Sequence, residues 1–346
     1  MTEHVGRSAA ASAASPRAGE PVISGRRLVA FSLLTVTTGG ITIPVQTYLP
    51  AFYATAIGMD LGAVGLVFMI SRLTSVAIDP LIGWASDRTR TRFGRRKPWI
   101  LGGGLLLLLA IFAVFFPPAH AGPVYLACWM VLLGVGTTAC MTPHVAWGGE
   151  MTSTPAQQSR VLAYIGTAAA IGIFAVLVMP ALLDSLGQGS PERRVGTMGL
   201  VLAGLLSLAL VTILTGFREG PVRPTPSFGW GHLRQLAADG DLRRIIVSDF
   251  CVALGQGMRG AVFLFFATRY MGVAAPALLL LLQYGFGIFA SPLWVRIGYR
   301  LGIVRTLIAA ELAQVAVNLL LLALVPGQTG LFCWSPRRAC SRVRAT

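Results

Sequence analysis

Asp79-Pro80-Leu81-Ile82-Gly83-Trp84-Ala85-Ser86-Asp87-Arg88-Thr89-Arg90-Thr91-Arg92-Phe93-Gly94-Arg95-Arg96-Lys97-Pro98-Trp99 joins two long apolar stretches, residues 62–85 and 99–116. Each is close to the ~20 apolar residues a helix needs to cross a hydrocarbon core. The charged run between them therefore reads as a connector of two membrane spans. Within it Asp87 can pair with the neighbouring arginines, Gly83 and Gly94 permit close helix approach and a tight turn, and Pro98 suits the start of the next helix. Asp87, Arg88, Gly94, Arg95 and Arg96 together read as a latch between helices. The plainer reading is a cluster of positive charge that fixes topology, and the two can hold together.

Outward from this connector the pattern repeats. Further apolar stretches fall near 28–50, 123–148, 161–183, 196–216, 245–268, 275–294 and 304–325, so the chain is expected to be all-α and polytopic, with about nine spans. Composition agrees: 55% of residues are hydrophobic, only 12% are charged, and the mean hydropathy is +0.71, beyond the range of a water-soluble domain. The formal charge of +15 comes almost wholly from arginines in short connectors between these stretches, which excludes nucleic acid as a partner. Cys128, Cys140, Cys251, Cys333 and Cys340 show neither CxxC nor Cys/His spacing, so no disulfide framework and no metal site is expected. A P-loop, a GxSxG turn and a metal-ligand cluster are also missing from the sequence, so no enzyme activity and no cofactor is expected.

Orientation follows from charge. Connectors after even-numbered spans carry Arg88, Arg90, Arg92, Arg95, Arg96, Lys97, Arg160, Arg218, Arg223, Arg234, Arg243, Arg244, Arg296, Arg300 and Arg305, whereas those after odd-numbered spans carry Arg193, Arg194 and Arg269. The positive-inside rule puts the amino terminus and the even connectors in the cytoplasm. Residues 1–27, rich in Ala, Ser, Gly and Pro, read as a disordered cytoplasmic tail, and 28–216 as an N-terminal six-helix bundle. The connector 217–244, with Pro221, Pro224, Pro226 and Gly229, reads as a linker, and 245–325 as three helices of a second bundle. Ser291-Pro292-Leu293, Gly302 and Arg305 weakly echo Asp79-Pro80-Leu81, Gly94 and Arg95, as parallel repeats of a transporter would. Residues 326–346 form an aberrant tail: Arg337, Arg338, Arg342 and Arg344 would lie outside, against the charge rule, which suggests a chain cut short of a twelve-span fold.

The connector 79–99, with Arg72 before it and Pro143, Ala146, Trp147 and Glu150 ending the fourth span, resembles the glycoside-pentoside-hexuronide:cation symporters of the major facilitator superfamily over roughly residues 28–325. That resemblance implies a major-facilitator helical bundle in a bacterial inner membrane, about nine of twelve helices being present. It also implies a coupling-cation site on the second and fourth helices, which falls on Asp79, Thr138 and Ser75. Here Ser75 stands where the family has an acidic residue, and Ile78 where it has asparagine. The sugar-binding aspartates of a galactoside carrier in the family align with Gly39 and Met141, so sodium coupling and a galactoside do not carry over.

Ionisable groups within spans are costly and mark function or pairing. Arg72, Asp79, Arg259 and Glu311 qualify, and Arg72, Ser75 and Asp79 share one helical face. Arg72 and Asp79 are about 10 Å apart along the axis, too far for an easy pair. The expected solute cavity is lined by Arg72, Arg259, Glu311, Tyr48 and Trp147, the two aromatics being suited to stack on a sugar ring. Arg259 and Glu311 have an alternative as a structural interhelical pair, and His144 is expected to be a hydrogen-bonded structural histidine. The expectation is a secondary active transporter of a sugar or glycoside, coupled to a proton rather than sodium and working by alternating access. A uronate or lysolipid cargo, or a shortened chain that no longer transports, are the alternatives.

Overall fold

The computed structural model describes residues 23–152, 155–217 and 219, single positions and short runs between 239 and 297, and residues 303–322. Most of the tail and of the linker, the bulk of the seventh and eighth predicted spans with Arg259, Ser291, Pro292 and Gly302, and residues 326–346 lie outside these.

The first six predicted spans are helices. The first, α1, runs Gly25–Gly40, passes a turn at Ile41 and a π-helical turn Pro44–Tyr48, and continues as Leu49–Thr55. Proline in a helix interior cannot donate to the preceding turn, and the wider π turn is one way the chain accommodates it. Then follow α2 (Leu61–Arg88), α3 (Lys97–Phe115), α4 (Pro123–Glu150), α5 (Pro155–Ser185) and α6 (Pro191–Gly216), and later α7 (Ile303–Leu322). Among the described residues six helices are long and apolar enough to cross a membrane. Proline stands in the first turn of α3, α4, α5 and α6, where a missing N–H breaks no helical bond. Pro80, Pro143 and Pro180 lie inside α2, α4 and α5.

The described chain divides into two compact units. One holds residues up to Gly40 with Gly62–Gly172 and Gly199–Val222; the other holds Ile41–Leu61, Ile173–Met198 and the residues from Arg223 on. The first unit is built on close backbone approach. A Cβ placed on Gly103 of α3 would stand 2.6 Å from that of Ala139, and one on Gly136 of α4 would stand 2.8 Å from the Leu107 nitrogen. Only glycine lets α3 and α4 meet there, and dispersion gained over the contact replaces the hydrophobic drive that lipid cannot supply. Gly172 of α5 likewise sits against the Val36 carbonyl of α1.

Burial differs sharply between helices: 67% of the apolar window of α1 is buried, against 17% for α2. Thus α1 is a core helix, and α2 shows most of its surface, including Leu73, Val76 and Trp84. In the second unit Arg194 donates from Nε to Asp184 Oδ1 at 2.7 Å, joining the end of α5 to the start of α6.

Candidate functional site

A polar seam joins α2 to α4. Ser71 Oγ donates to the Met130 carbonyl at 3.2 Å; one turn on, Ser75 Oγ donates to the Ser71 carbonyl and lies 3.1 Å from where a Gly134 Cβ would be. A further turn on, Thr138 Oγ1 donates to Asp79 Oδ1 at 2.7 Å, and Gly83 comes last, opposite Thr142. Positions 71, 75, 79 and 83 thus face 130, 134, 138 and 142, so two parallel helices mesh along their i, i+4 rows at about 6 Å per step. The step explains why small residues recur at that interval. Gly83 is not forced by crowding: a Cβ there would meet the Thr142 methyl at 3.6 Å, an ordinary contact, so close approach is provided by Gly134 instead.

The seam brings the three expected coupling residues, Asp79, Thr138 and Ser75, to one side of α2. Asp79 is exposed, and the residue after it, Pro80, cannot donate to the Val76 carbonyl, which opens the helix beside the carboxylate. Arg72 is exposed on the same helix, and no carboxylate lies within ion-pair distance of it among the described residues. Tyr48 is half-buried in the π turn of α1, and Glu311 is exposed on α7. Trp147 is buried, edge-on to Phe31 and Phe217, so in this conformation its ring faces are covered by protein rather than open to a solute.

At the loop end of the same helices the connector is organised as a charge network. Arg96 reaches Asp87 at 3.0 Å and Glu150 at 2.5 Å, and Arg95 also binds the Glu150 carboxylate, so the ends of α2 and α4 are tied to the start of α3. Both arginines are buried. Gly94 has φ +109°, a left-handed conformation that turns the chain, and its N–H donates to the Thr91 carbonyl at 3.1 Å. That turn presents three successive N–H groups, of Arg95, Arg96 and Lys97, to the carboxylate of Glu219, the Arg96 bond being 2.8 Å. Glu219 therefore caps α3, satisfying donors that a helix start leaves free and setting a negative charge on the positive end of its dipole. A Cβ on residue 94 would fall on that carboxylate. Arg88 stands apart from the network, its guanidinium 4.1 Å above the Trp84 ring.

Sequence reasoning singled out Asp87, Arg88, Gly94, Arg95 and Arg96 but passed over Glu219, one of three acids in what reads as linker. Phe217 and Glu219 extend the bundle into the first residues assigned to the linker: Phe217 is buried against Phe31 and Trp147, beneath Arg27. The expectation for His144 is corrected. Its ring stacks on Phe31 at 4.1 Å, and neither nitrogen finds a partner among the described residues.

Six membrane-length apolar helices among the described residues, packed through glycine contacts, make this a polytopic α-helical membrane protein. The sequence profile described as MFS/sugar transport protein matches residues 30–334. Among curated proteins the chain is 26% identical over 235 residues to the "Inner membrane symporter YicJ" of Escherichia coli, covering 66% of this chain and 51% of that one. To the "Putative glycoside/cation symporter YagG" of the same organism it is 27% identical over 230 residues, 64% of this chain and 49% of the other. To the "Glucuronide carrier protein homolog", again of Escherichia coli, it is 26% identical over 263 residues, 72% and 56% respectively. The chain belongs to the major-facilitator sugar-transport family, in its glycoside-pentoside-hexuronide:cation symporter branch, a group of transporters and not of enzymes. It spans about half the length of the curated relatives it matches.

Proposed function

We propose that this chain belongs to a secondary transporter that moves a sugar or glycoside with a proton, by alternating access, across a bacterial inner membrane. The observation that carries the proposal is the Thr138–Asp79 hydrogen bond, which fixes one carboxylate at the seam of two membrane helices. A lone carboxylate on a membrane helix is expensive and is retained where it moves or binds charge. The names of the relatives, symporter and glycoside/cation symporter, support a glycoside and a coupled cation.

The proton is favoured over sodium by ligand chemistry. Asp79, Thr138 and Ser75 supply one negative charge and two neutral hydroxyls, a small oxygen and charge count for a sodium ion, which prefers several oxygen ligands. A proton needs only the carboxylate. By the positive-inside rule the arginine-rich loop 89–96 belongs on the cytoplasmic side in this reading, where the Asp87, Arg95, Arg96 and Glu150 network would hold α2, α3 and α4 together while the bundles rock.

Proteoliposomes bearing the wild-type protein should accumulate a labelled glycoside from a panel when a proton gradient is imposed. Asp79→Asn should abolish accumulation and leave exchange intact, because the amide imitates the protonated acid. Accumulation that survives Asp79→Asn, or that follows sodium at constant pH, refutes proton coupling. A uronate cargo has one observation in its favour, the exposed Arg72, which has no carboxylate within ion-pair distance among the described residues. Arg72→Gln would then weaken uptake of a uronide and spare that of its neutral glycoside.

A further inference from the structure

We propose that the groove between α2, α3 and α4 is a binding site for one anionic phospholipid, an acyl chain in the groove and the phosphate on Arg88 and Arg90. The groove has a volume of about 380 Å³ and is walled by Ile78 and Ile82 of α2, Trp99, Gly102 and Leu106 of α3, and Val135 of α4. Its one lining indole N–H is already used, Trp99 Nε1 donating to Thr89 Oγ1 at 2.8 Å. A polar solute would gain nothing there, whereas a hydrocarbon chain fits. From Pro98 to Leu106 the groove follows α3 for eight residues, about 12 Å, close to the depth of one leaflet of a ~30 Å core.

The loop end of the groove carries charge of the complementary sign. Thr89, which touches Trp99, is flanked by Arg88 and Arg90. The connector holds six cations, Arg88, Arg90, Arg92, Arg95, Arg96 and Lys97, and among the described residues three acids pair with it, Asp87, Glu150 and Glu219. All three acids are spent on Arg95, Arg96 and the α3 start, and Lys97 Nζ turns away to the Leu214 carbonyl. Six less three leaves three positive charges, and Arg88, Arg90 and Arg92 have no carboxylate within ion-pair distance among the described residues. Arg88 lies over the exposed Trp84 and Arg92 over the exposed Phe93, arrangements suited to the water–lipid boundary. Basic clusters that open onto an apolar groove between spans are how membrane proteins select anionic headgroups.

The test is independent of transport. The full chain is reconstituted in phosphatidylcholine vesicles doped with phosphatidylglycerol or phosphatidylcholine brominated on the acyl chains. Quenching of Trp99 is isolated as the difference between wild type and Trp99→Phe. Brominated phosphatidylglycerol should quench Trp99 at a several-fold lower mole fraction than brominated phosphatidylcholine. Arg90→Gln should shrink that preference. Gly102→Leu should erase it by filling the groove, since a Cβ at 102 meets nothing within 4 Å and the variant is not expected to misfold. Equal quenching by the two lipids, meaning boundary lipid only, overturns the proposal, and so does a preference unchanged in Gly102→Leu.

Discussion

Gly94→Ala should loosen the joint at the start of α3, and the loss should depend on Glu219. The backbone at Gly94 has φ +109°, where an L side chain costs about 1–3 kcal/mol of strain. The new Cβ also lands on the Glu219 carboxylate, which must leave the N–H groups of Arg95, Arg96 and Lys97. Bonds from neutral donors to a charged acceptor are among the stronger ones, but water replaces the carboxylate at a half-exposed helix start, so their combined loss is about 2–4 kcal/mol. Gly94→Ala should therefore cost about 3–7 kcal/mol in all, the strain and the lost cap together. Glu219→Ala alone should cost about 2–4 kcal/mol. The double variant should cost little more than Gly94→Ala, because the cap can be lost only once, leaving a coupling of about 2 kcal/mol or more. Thermal unfolding in detergent, followed by reaction of the buried Cys140 with a fluorogenic maleimide after the accessible thiols are blocked, measures all three variants against wild type. Costs that simply add would refute the reasoning, since they would mean that the carboxylate does not sit against the turn.

Two further outcomes follow from packing. His144→Leu should raise the melting temperature in the same assay, because it removes a buried imidazole whose two nitrogens have no partner among the described residues, worth about 1–3 kcal/mol, for the loss of one ring stack worth about 0.5–1.5 kcal/mol; a lower melting temperature would show the ring to be bonded. Gly103→Val should drive α3 from α4 and reduce the monodisperse fraction on size exclusion, whereas Gly102→Val, pointing into open space, should not.

Hydropathy and charge in one dimension were enough to find the six spans, because exclusion of charge from lipid acts on every residue of a span at once. The observed helix α2, Leu61–Arg88, differs from the predicted 62–85 only by a turn at one end, where lipid no longer constrains the sequence. The turn in the connector was legible for the same reason that turns usually are: Gly94, Pro98 and the alternation of arginines are local signals. The interval Ser71, Ser75, Asp79, Gly83 was also open to reading, although which helix it meets was not.

What the sequence determined alone, then, is the set of apolar spans, their boundaries to within a turn or two, and the residues whose charge must be accounted for inside them. Partnership is decided only in three dimensions. Thr138 and Asp79 are far apart in sequence and meet because α2 and α4 lie parallel and in register; Glu219, beyond the end of α6, meets the start of α3; His144 stacks on Phe31 and has no hydrogen-bond partner among the described residues. Hydrogen bonds and ion pairs act over a few ångströms with strict geometry, whereas hydropathy sums over whole helices, so the second survives in the linear sequence and the first does not.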